Sequence, residues 1–287
     1  MNDPLISEGR IAVKKCRHGL FMYNRHDQFI GRGMALYGEW CEAELAGLLQ
    51  ILRPGDIVLD IGANIGTHTV PLARKVAPNG AVFAFEPQRV VFQMLCGNVA
   101  LNGLPNVQCL QKAVGASRGT IGVPALNQDI DQNFGGLKLR DGAPDRGEPT
   151  ELVALDDLDL PSCRLIKIDV EGMETEALAG ARETIRRHRP LLFVENNRID
   201  TSRGILEAVA NLDYAAWWHI SPYFNPQNFF GNAENIYEGL VPEANLLCLP
   251  KSSATTVSGL APVLGLDDNW QKALERQGMV FQVAPES

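Results

Sequence analysis

The stretch Asp60-Ile61-Gly62-Ala63-Asn64-Ile65-Gly66-Thr67 holds the residues whose types and spacing point most directly to chemistry. It follows the apolar run Ile57-Val58-Leu59 and precedes a helical pattern, so it reads as a strand passing through a glycine-rich turn into a helix. Gly62 and Gly66 remove the Cβ atoms that would keep a ligand from the backbone, and the N–H groups of the helix start are expected to point into the same space. The spacing is D-x-G-x-N-x-G, not the G-x-G-x-x-G of a dinucleotide site. An Asp aimed into such a turn repels a pyrophosphate and attracts a cationic α-amino group, so the turn suits a nucleoside that carries an amino acid. Twenty residues beyond Gly66, Glu86 of Phe85-Glu86-Pro87 ends the next apolar run, where a carboxylate can accept from both hydroxyls of a ribose. A side chain in place of Gly62, or loss of the Asp60 carboxylate, is expected to abolish cofactor binding and leave the chain folded.

Two later apolar runs also end in acids: Leu165 to Ile168 leads into Asp169-Val170-Glu171-Gly172, and Leu191 to Val194 into Glu195-Asn196-Asn197. Ligands of parallel sheets lie beyond the carboxyl ends of the strands, which brings these acids toward the glycine turn. Asp169 is the first candidate for a functional acid, with Glu171 beside it; capping the next helix is the ordinary alternative. His68, in the first turn after the glycine loop, and His219, at the end of a late strand, are the histidines placed to take a proton.

These residues need elements to hold them. The chain has 287 residues, 45% of them apolar, enough for one large α/β domain. Its 26 Lys and Arg against 34 Asp and Glu, a formal charge of −8, disfavour a nucleic-acid partner. No run is long and apolar enough for a membrane helix, no secretory signal opens the chain, and the six cysteines form no disulfide framework, so a cytoplasmic setting is expected. Strands are predicted at about 57–59, 81–85, 107–110, 165–168 and 191–194, and helices at about 40–52, 67–77 and 173–187, with another around 92–99; Tyr214 to Ile220 and Asn245 to Leu249 close the sheet as an antiparallel hairpin. Three regions follow: an N-terminal segment (1–39), an α/β domain (40–250) with an inserted loop or hairpin at about 119–150, and a C-terminal extension (251–287). The aromatic segment from Trp217 to Tyr237 either walls a pocket or packs beneath a lid.

The combination VLDIGANIGTHT, FAFEPQ, NVALNGL, KAVG, LDDL, LIKIDVEGMETEALAG and NLLCLP resembles the FkbM family of S-adenosylmethionine-dependent methyltransferases over about residues 37–250. The resemblance implies a doubly wound, Rossmann-like methyltransferase sheet of about seven strands with the last strand antiparallel. It implies O-methylation of a small hydroxyl acceptor such as a metabolite, sugar or polyketide. Asp60, Gly62, Ala63, Asn64, Gly66 and Thr67 would line the methionine part of S-adenosyl-L-methionine, with Asp169 nearby, and Glu86 with Pro87 its ribose. The adenine edge would lie near Gln111, Lys112 and Ala113, and Tyr37, Gly38 and Glu39 would close over the cofactor.

A hydroxyl acceptor must lose its proton, to a base or through a metal. Asp169, Glu195 and Asn196 are oxygen donors of the kind Mg²⁺ takes, as in some O-methyltransferases of this sheet type. Chelation would distinguish that case from a simple base. The competing readings are a catalytically inactive S-adenosylmethionine-binding module and a methyltransferase acting on nitrogen; the latter usually carries an N-P-P-[YF]-like box after the fourth strand, where this chain has D-V-E-G.

Overall fold

The computed structural model describes residues 3–136 and 147–278. The chain begins with an antiparallel sheet of β1 (Ile6–Glu8), β2 (Ile11–Cys16) and β3 (Gly19–Asn24), then helices α1 (Ile30–Leu36) and α2 (Glu42–Ile51). Sequence patterning assigned no sheet here because the lysines of IAVKKC interrupt its alternation. Lys14 is nevertheless buried, its ammonium donating to the Ala35 carbonyl at 2.6 Å.

The α/β alternation follows: β4 (Ile57–Ile61), α3 (Thr69–Val76), β5 (Ala81–Phe85), α4 (Arg89–Leu101) and β6 (Val107–Leu110). A second small sheet interrupts it, with β7 (Ala113–Val114), β8 (Gly119–Val123) and β9 (Glu148–Val153), the last two pairing antiparallel. Residues 137–146 of the expected insertion lie outside the described residues. The alternation resumes with β10 (Leu165–Ile168), α5 (Glu174–Ala179), α6 (Arg182–His188), β11 (Leu191–Glu195) and α7 (Ile199–Asn211), and ends in β12 (Tyr214–Ser221), β13 (Glu243–Pro250), β14 (Ala261–Pro262) and α8 (Trp270–Arg276).

The single helix expected over 173–187 is two. At the break a Cβ on Gly180 would lie 2.0 Å from the Gly115 carbonyl oxygen, so only glycine permits this approach to the small sheet. Asp156 then starts α6 afresh, accepting from the Glu183 and Thr184 amides at 3.0 and 2.7 Å.

The main sheet has the order β14-β12-β13-β11-β10-β4-β5-β6, one strand more than expected because the two-residue β14 pairs with β12. Strands β11, β10, β4, β5 and β6 are parallel, and β13 runs antiparallel between β11 and β12. Strands β10 and β11 are buried at every residue, as parallel strands covered on both faces are. One face packs Leu59, Ile166 and Leu192 against Ala177, Ile185 and Ile205; the other packs Val58, Leu165 and Phe193 against Leu45, Leu48 and Leu72. The chain winds outward from β4 through β5 to β6, then returns to β10 and winds the other way. Ligands of such sheets sit beyond the strand ends at this switch point. Because β13 is antiparallel it starts at that same edge, with Asn245 opposite Glu195 and Glu243 two residues earlier.

Candidate active site

Backbone builds the glycine turn. Gly62 (φ +79°) and Gly66 (φ +88°) are left-handed, as is Asn64 (φ +50°), a side chain that tolerates this conformation. A Cβ on Gly62 would lie 1.7 Å from the Asp169 carbonyl oxygen, so this glycine lets the ends of β4 and β10 meet. A side chain there collides with protein before it meets a ligand, which corrects the expectation that such a variant stays folded. The turn amides are occupied too. Gly62 and Ala63 donate to the Phe85 carbonyl at 3.0 and 2.9 Å, Asn64 to Glu86 Oε2 at 3.0 Å, Ile65 to Asn64 Oδ1 at 2.8 Å and Gly66 to the Ala63 carbonyl at 2.9 Å. Residues 62–66 therefore offer no free N–H groups of their own and no nest for a pyrophosphate.

Asp60 turns away from the loop. It is fully buried, its Oδ2 accepting from Thr69 Oγ1 at 2.6 Å and its Oδ1 lying 3.7 Å from Lys167 Nζ. Lys167 is the register partner of Asp60 and also donates to Asp169 at 3.0 Å. Burial opposes the Lys167 charge, but Asp169 and Asp60 outweigh it and hold the ammonium above the ordinary lysine value. With Asp60 inside, Asp169 is the acid that reaches the cleft, its side chain 41% exposed.

That cleft, of about 320 Å³, opens beyond the strand ends. One group of lining residues centres on Glu86, which is buried and accepts from the Asn64 and Gln88 amides at 3.0 and 2.8 Å. Burial pushes its pKa up to about 7 in spite of those bonds, with Asp169 and Asp60 adding to the rise. Gln88 donates to the Phe134 carbonyl at 3.0 Å, and its Oε1 is buried without a partner. Asn133, Gly135 and Gly136 complete this side.

The second group is acidic and aromatic. Carboxyl oxygens of Asp169, Glu171 and Glu195 lie within 4.8 Å of one another, and Glu243, Phe29, Trp40 and Tyr223 line the same space. Glu171 has φ +51°, a strained conformation for glutamate, and is held by Arg198 at 2.6 Å. Burial and the neighbouring Asp169 push its pKa up to about 7. Glu195 accepts from Asn197 Nδ2 at 2.6 Å. Burial, then Asp169, Glu171 and Glu243, raise it well above the carboxylate range. Glu243 is raised likewise, by burial and then by Glu44 and Asp169, while the Tyr223 hydroxyl bonds to it.

His68 is 7% exposed, and its Nε2 has no hydrogen-bond partner. Glu44 Oε2 lies 3.6 Å from that nitrogen. Glu44 is itself fixed, its Oε1 accepting from Asn245 Nδ2 at 3.0 Å and Ser221 Oγ at 3.3 Å. Residues from α2, β12 and β13 thereby orient a carboxylate toward an imidazole at the start of α3.

Of the expected site residues, the cleft gathers Gly62, Ala63, Asn64, Thr67, His68, Glu86, Pro87, Asp169, Glu171 and Glu195. The others lie elsewhere. Gly66 packs on Leu95. Tyr37 is 1% exposed and donates to the Glu234 carbonyl at 2.8 Å, while Glu39 pairs with Arg17 at 2.6 Å and accepts from Asn225 at 2.7 Å. Both pin the segment after β12 onto α1 instead of closing over the cleft. Lys112 pairs with Glu151 at 2.9 Å and Ala113 enters β7, so the small sheet draws 111–113 away and the loop at 133–136 takes that side.

His219 lies against Phe193, ring centroids 5.5 Å apart, in a second cavity of about 370 Å³ that shares Glu44 with the cleft. Asn196 is buried off the cleft, and both of its side-chain polar atoms are unpartnered. The expected metal set thus loses its amide oxygen. Lys167 on Asp169 and Arg198 on Glu171 place fixed cations against two of the three carboxylates gathered in the cleft, so the donors do not fit a divalent ion. Sequence reasoning missed Trp40, Glu44, Arg198 and Glu243. It also missed Lys167, whose signal was a lysine inside an otherwise apolar strand.

Fold and site together define a doubly wound α/β chain with its ligand cleft at the switch point. The chain belongs to the FkbM family of methyltransferases: the model of the methyltransferase FkbM domain matches residues 60–215, more than half its length. Methyltransferase sdnD of Sordaria araneosa is 32% identical over 46% of this chain and 62% of its own. The 31-O-demethyl-FK506 methyltransferase FkbM of Streptomyces tacrolimicus gives the same 32%, 46% and 62%. The match therefore spans about three fifths of these relatives. A solved FkbM methyltransferase from Methylobacillus flagellatus, 19% identical, aligns with a TM-score of 0.44 over 69% of this chain and 45% of that one. Trp40, Glu44, Tyr223 and Glu243 lie outside the matched 60–215. No helix among the described residues is long and apolar enough to cross a membrane.

Proposed function

We propose that the chain is an S-adenosylmethionine-dependent methyltransferase that methylates a hydroxyl of a small molecule. The observation that carries this reading is one cleft holding both a buried diol acceptor, Glu86, and an unpartnered buried imidazole nitrogen, His68 Nε2. The residues fit the cofactor. Both Glu86 oxygens keep lone pairs beyond their amide bonds, which suits ribose hydroxyls. Gln88 Oε1 is a buried acceptor that a base amino group would satisfy. Asp169 offers a carboxylate to the α-amino group, and the occupied amides of 62–66 disfavour a dinucleotide. When bound, the cofactor supplies a methyl on a sulfonium, whose leaving group is a neutral thioether.

The protein's share is position and proton transfer. Holding the acceptor oxygen in line with the methyl supplies much of the rate. The hydroxyl proton passes to His68 Nε2, and the Glu44 carboxylate stabilises the imidazolium that results. The acidic walls disfavour a phosphate backbone, hence a small-molecule acceptor rather than a nucleic acid.

Calorimetry with S-adenosylhomocysteine and with NAD tests the reading. Adenosylhomocysteine should bind wild type and bind Glu86→Ala at least about tenfold more weakly, the loss of a charge-assisted bond pair. Preferential binding of NAD would overturn it.

A further inference from the structure

The acceptor side of the cleft has two carboxylates with no cation. Among the described residues Lys167 is committed to Asp169 and Asp60, and Arg198 to Glu171. Glu195 is bonded only by an amide, that of Asn197, and Glu243 by the Tyr223 hydroxyl. These two acids stand on adjacent antiparallel strands, beside Asp169 and Glu171. Withdrawing neighbouring carboxylates from water without a counter-charge is costly, and a positively charged ligand relieves it. Trp40 and Tyr223, ring centroids 5.2 Å apart, add an aromatic wall of the kind that attracts an ammonium or the C–H face of a saturated ring. His68 Nε2, more than nine-tenths buried in the same cleft, has no hydrogen-bond partner, the Glu44 carboxylate standing 3.6 Å away; this is an independent sign of a ligand and calls for a hydroxyl.

We infer that the acceptor is an amine-bearing polyol, an amino sugar or aminocyclitol, whose ammonium is held by Glu195 and Glu243 while one of its hydroxyls faces His68. This rests on the O-methyltransferase reading and names its substrate class. An ammonium held among carboxylates keeps its proton and has no lone pair to offer, so methylation falls on oxygen. The oxygen forms the new C–O bond, its proton passes to His68 Nε2, and the electron pair of the broken C–S bond stays on sulfur. A divalent ion is the competing cation, but Lys167 and Arg198, at 3.0 and 2.6 Å from Asp169 and Glu171, oppose it.

Saturation-transfer NMR on the full chain loaded with S-adenosylhomocysteine, using D-glucosamine, N-acetyl-D-glucosamine and D-glucose, tests the inference. D-glucosamine should bind about tenfold or more tightly than the two uncharged sugars. Glu195→Gln and Glu243→Gln should each erase most of that preference while still binding adenosylhomocysteine, which shows them folded. Equal binding of the three sugars, or binding of none, by protein that retains adenosylhomocysteine overturns the inference and leaves the methyltransferase reading standing. Failure to bind adenosylhomocysteine overturns both. Mg²⁺ binding that is lost in Glu195→Gln and is not displaced by D-glucosamine assigns the carboxylates to a metal, and also overturns the inference.

Discussion

Lowering the pH from 8 to 6 should weaken S-adenosylhomocysteine binding about tenfold, through the single carboxyl of Glu86. Burial raises its pKa to about 7, and Asp169 and Asp60 add to the rise against the Asn64 and Gln88 amides. Around that value the ionised fraction falls from roughly nine tenths at pH 8 to roughly one tenth at pH 6. If only the carboxylate accepts from both ribose hydroxyls, the apparent dissociation constant rises by the inverse ratio, about tenfold or about 1.4 kcal/mol. Isothermal calorimetry in two buffers of different ionisation heat reads the affinity and the proton stoichiometry together. Near pH 6 close to one proton should be released on binding. Glu86→Gln cannot titrate, so it should bind more weakly than wild type at pH 8 and equally at both pH values. A flat wild-type profile would refute the reasoning. So would a Glu86→Gln variant that keeps the dependence, which would move the proton to another cleft acid such as Glu171, also near 7.

The same raised acids bear on stability. Glu86, Glu171, Glu174, Glu195 and Glu243 all titrate above the ordinary carboxylate range, so the native chain holds protons that the unfolded chain has released. For Glu86 and Glu171 that contribution is full below about pH 4.5 and lost as pH rises through about 7, and the other three act in the same direction, so the melting temperature of the ligand-free protein should fall between pH 5.5 and 8; a rise would contradict the burial argument. His68→Ala should lower kcat by about 10²- to 10⁴-fold with adenosylhomocysteine affinity unchanged, whereas an unchanged kcat would remove His68 as the base. Gly62→Ala should destabilise the chain by about 3 kcal/mol in denaturant titration, from the collision with the Asp169 carbonyl and the left-handed backbone together; retention of wild-type stability would mean that the strand ends can part freely.

Much of the fold was legible because its signals are local. Apolar runs such as Ile57 to Leu59 and Leu191 to Val194 have few ways to be buried other than as central strands, and the closing hairpin of β12 and β13 follows from two such runs late in the chain. The break between α5 and α6 was not legible, since it depends on how closely Gly180 approaches Gly115, a contact 65 residues apart in the chain. The site divides in the same way. The turn around Gly62 and Glu86 stand at the ends of the neighbouring strands of one strand–helix–strand unit, so spacing alone places them. Asp60 sits in that unit too, yet its direction was misread, because the partner that turns it inward, Lys167, belongs to a strand more than a hundred residues later.

The Glu243 end of the cleft was hidden for a topological reason. Strand β13 runs against its neighbours, so its first residue, and not its last, arrives at the edge where the parallel strands end. Glu243 is invisible to any rule that looks for chemistry at carboxyl ends. The same reversal brings Asn245 within 3.0 Å of Glu44, and Glu44 within 3.6 Å of His68. The histidine comes from the family-matched region 60–215, whereas Glu44 and Asn245 flank it on opposite sides in the chain. The Glu86 side of the cleft is thus built inside the matched domain, while the contacts of His68 and the Glu243 end of the acidic wall depend on the flanks. Under the proposed function, acceptor choice would then change through residues 40–44 and 221–245 without disturbing the turn around Gly62, so that one sheet could serve different acceptors.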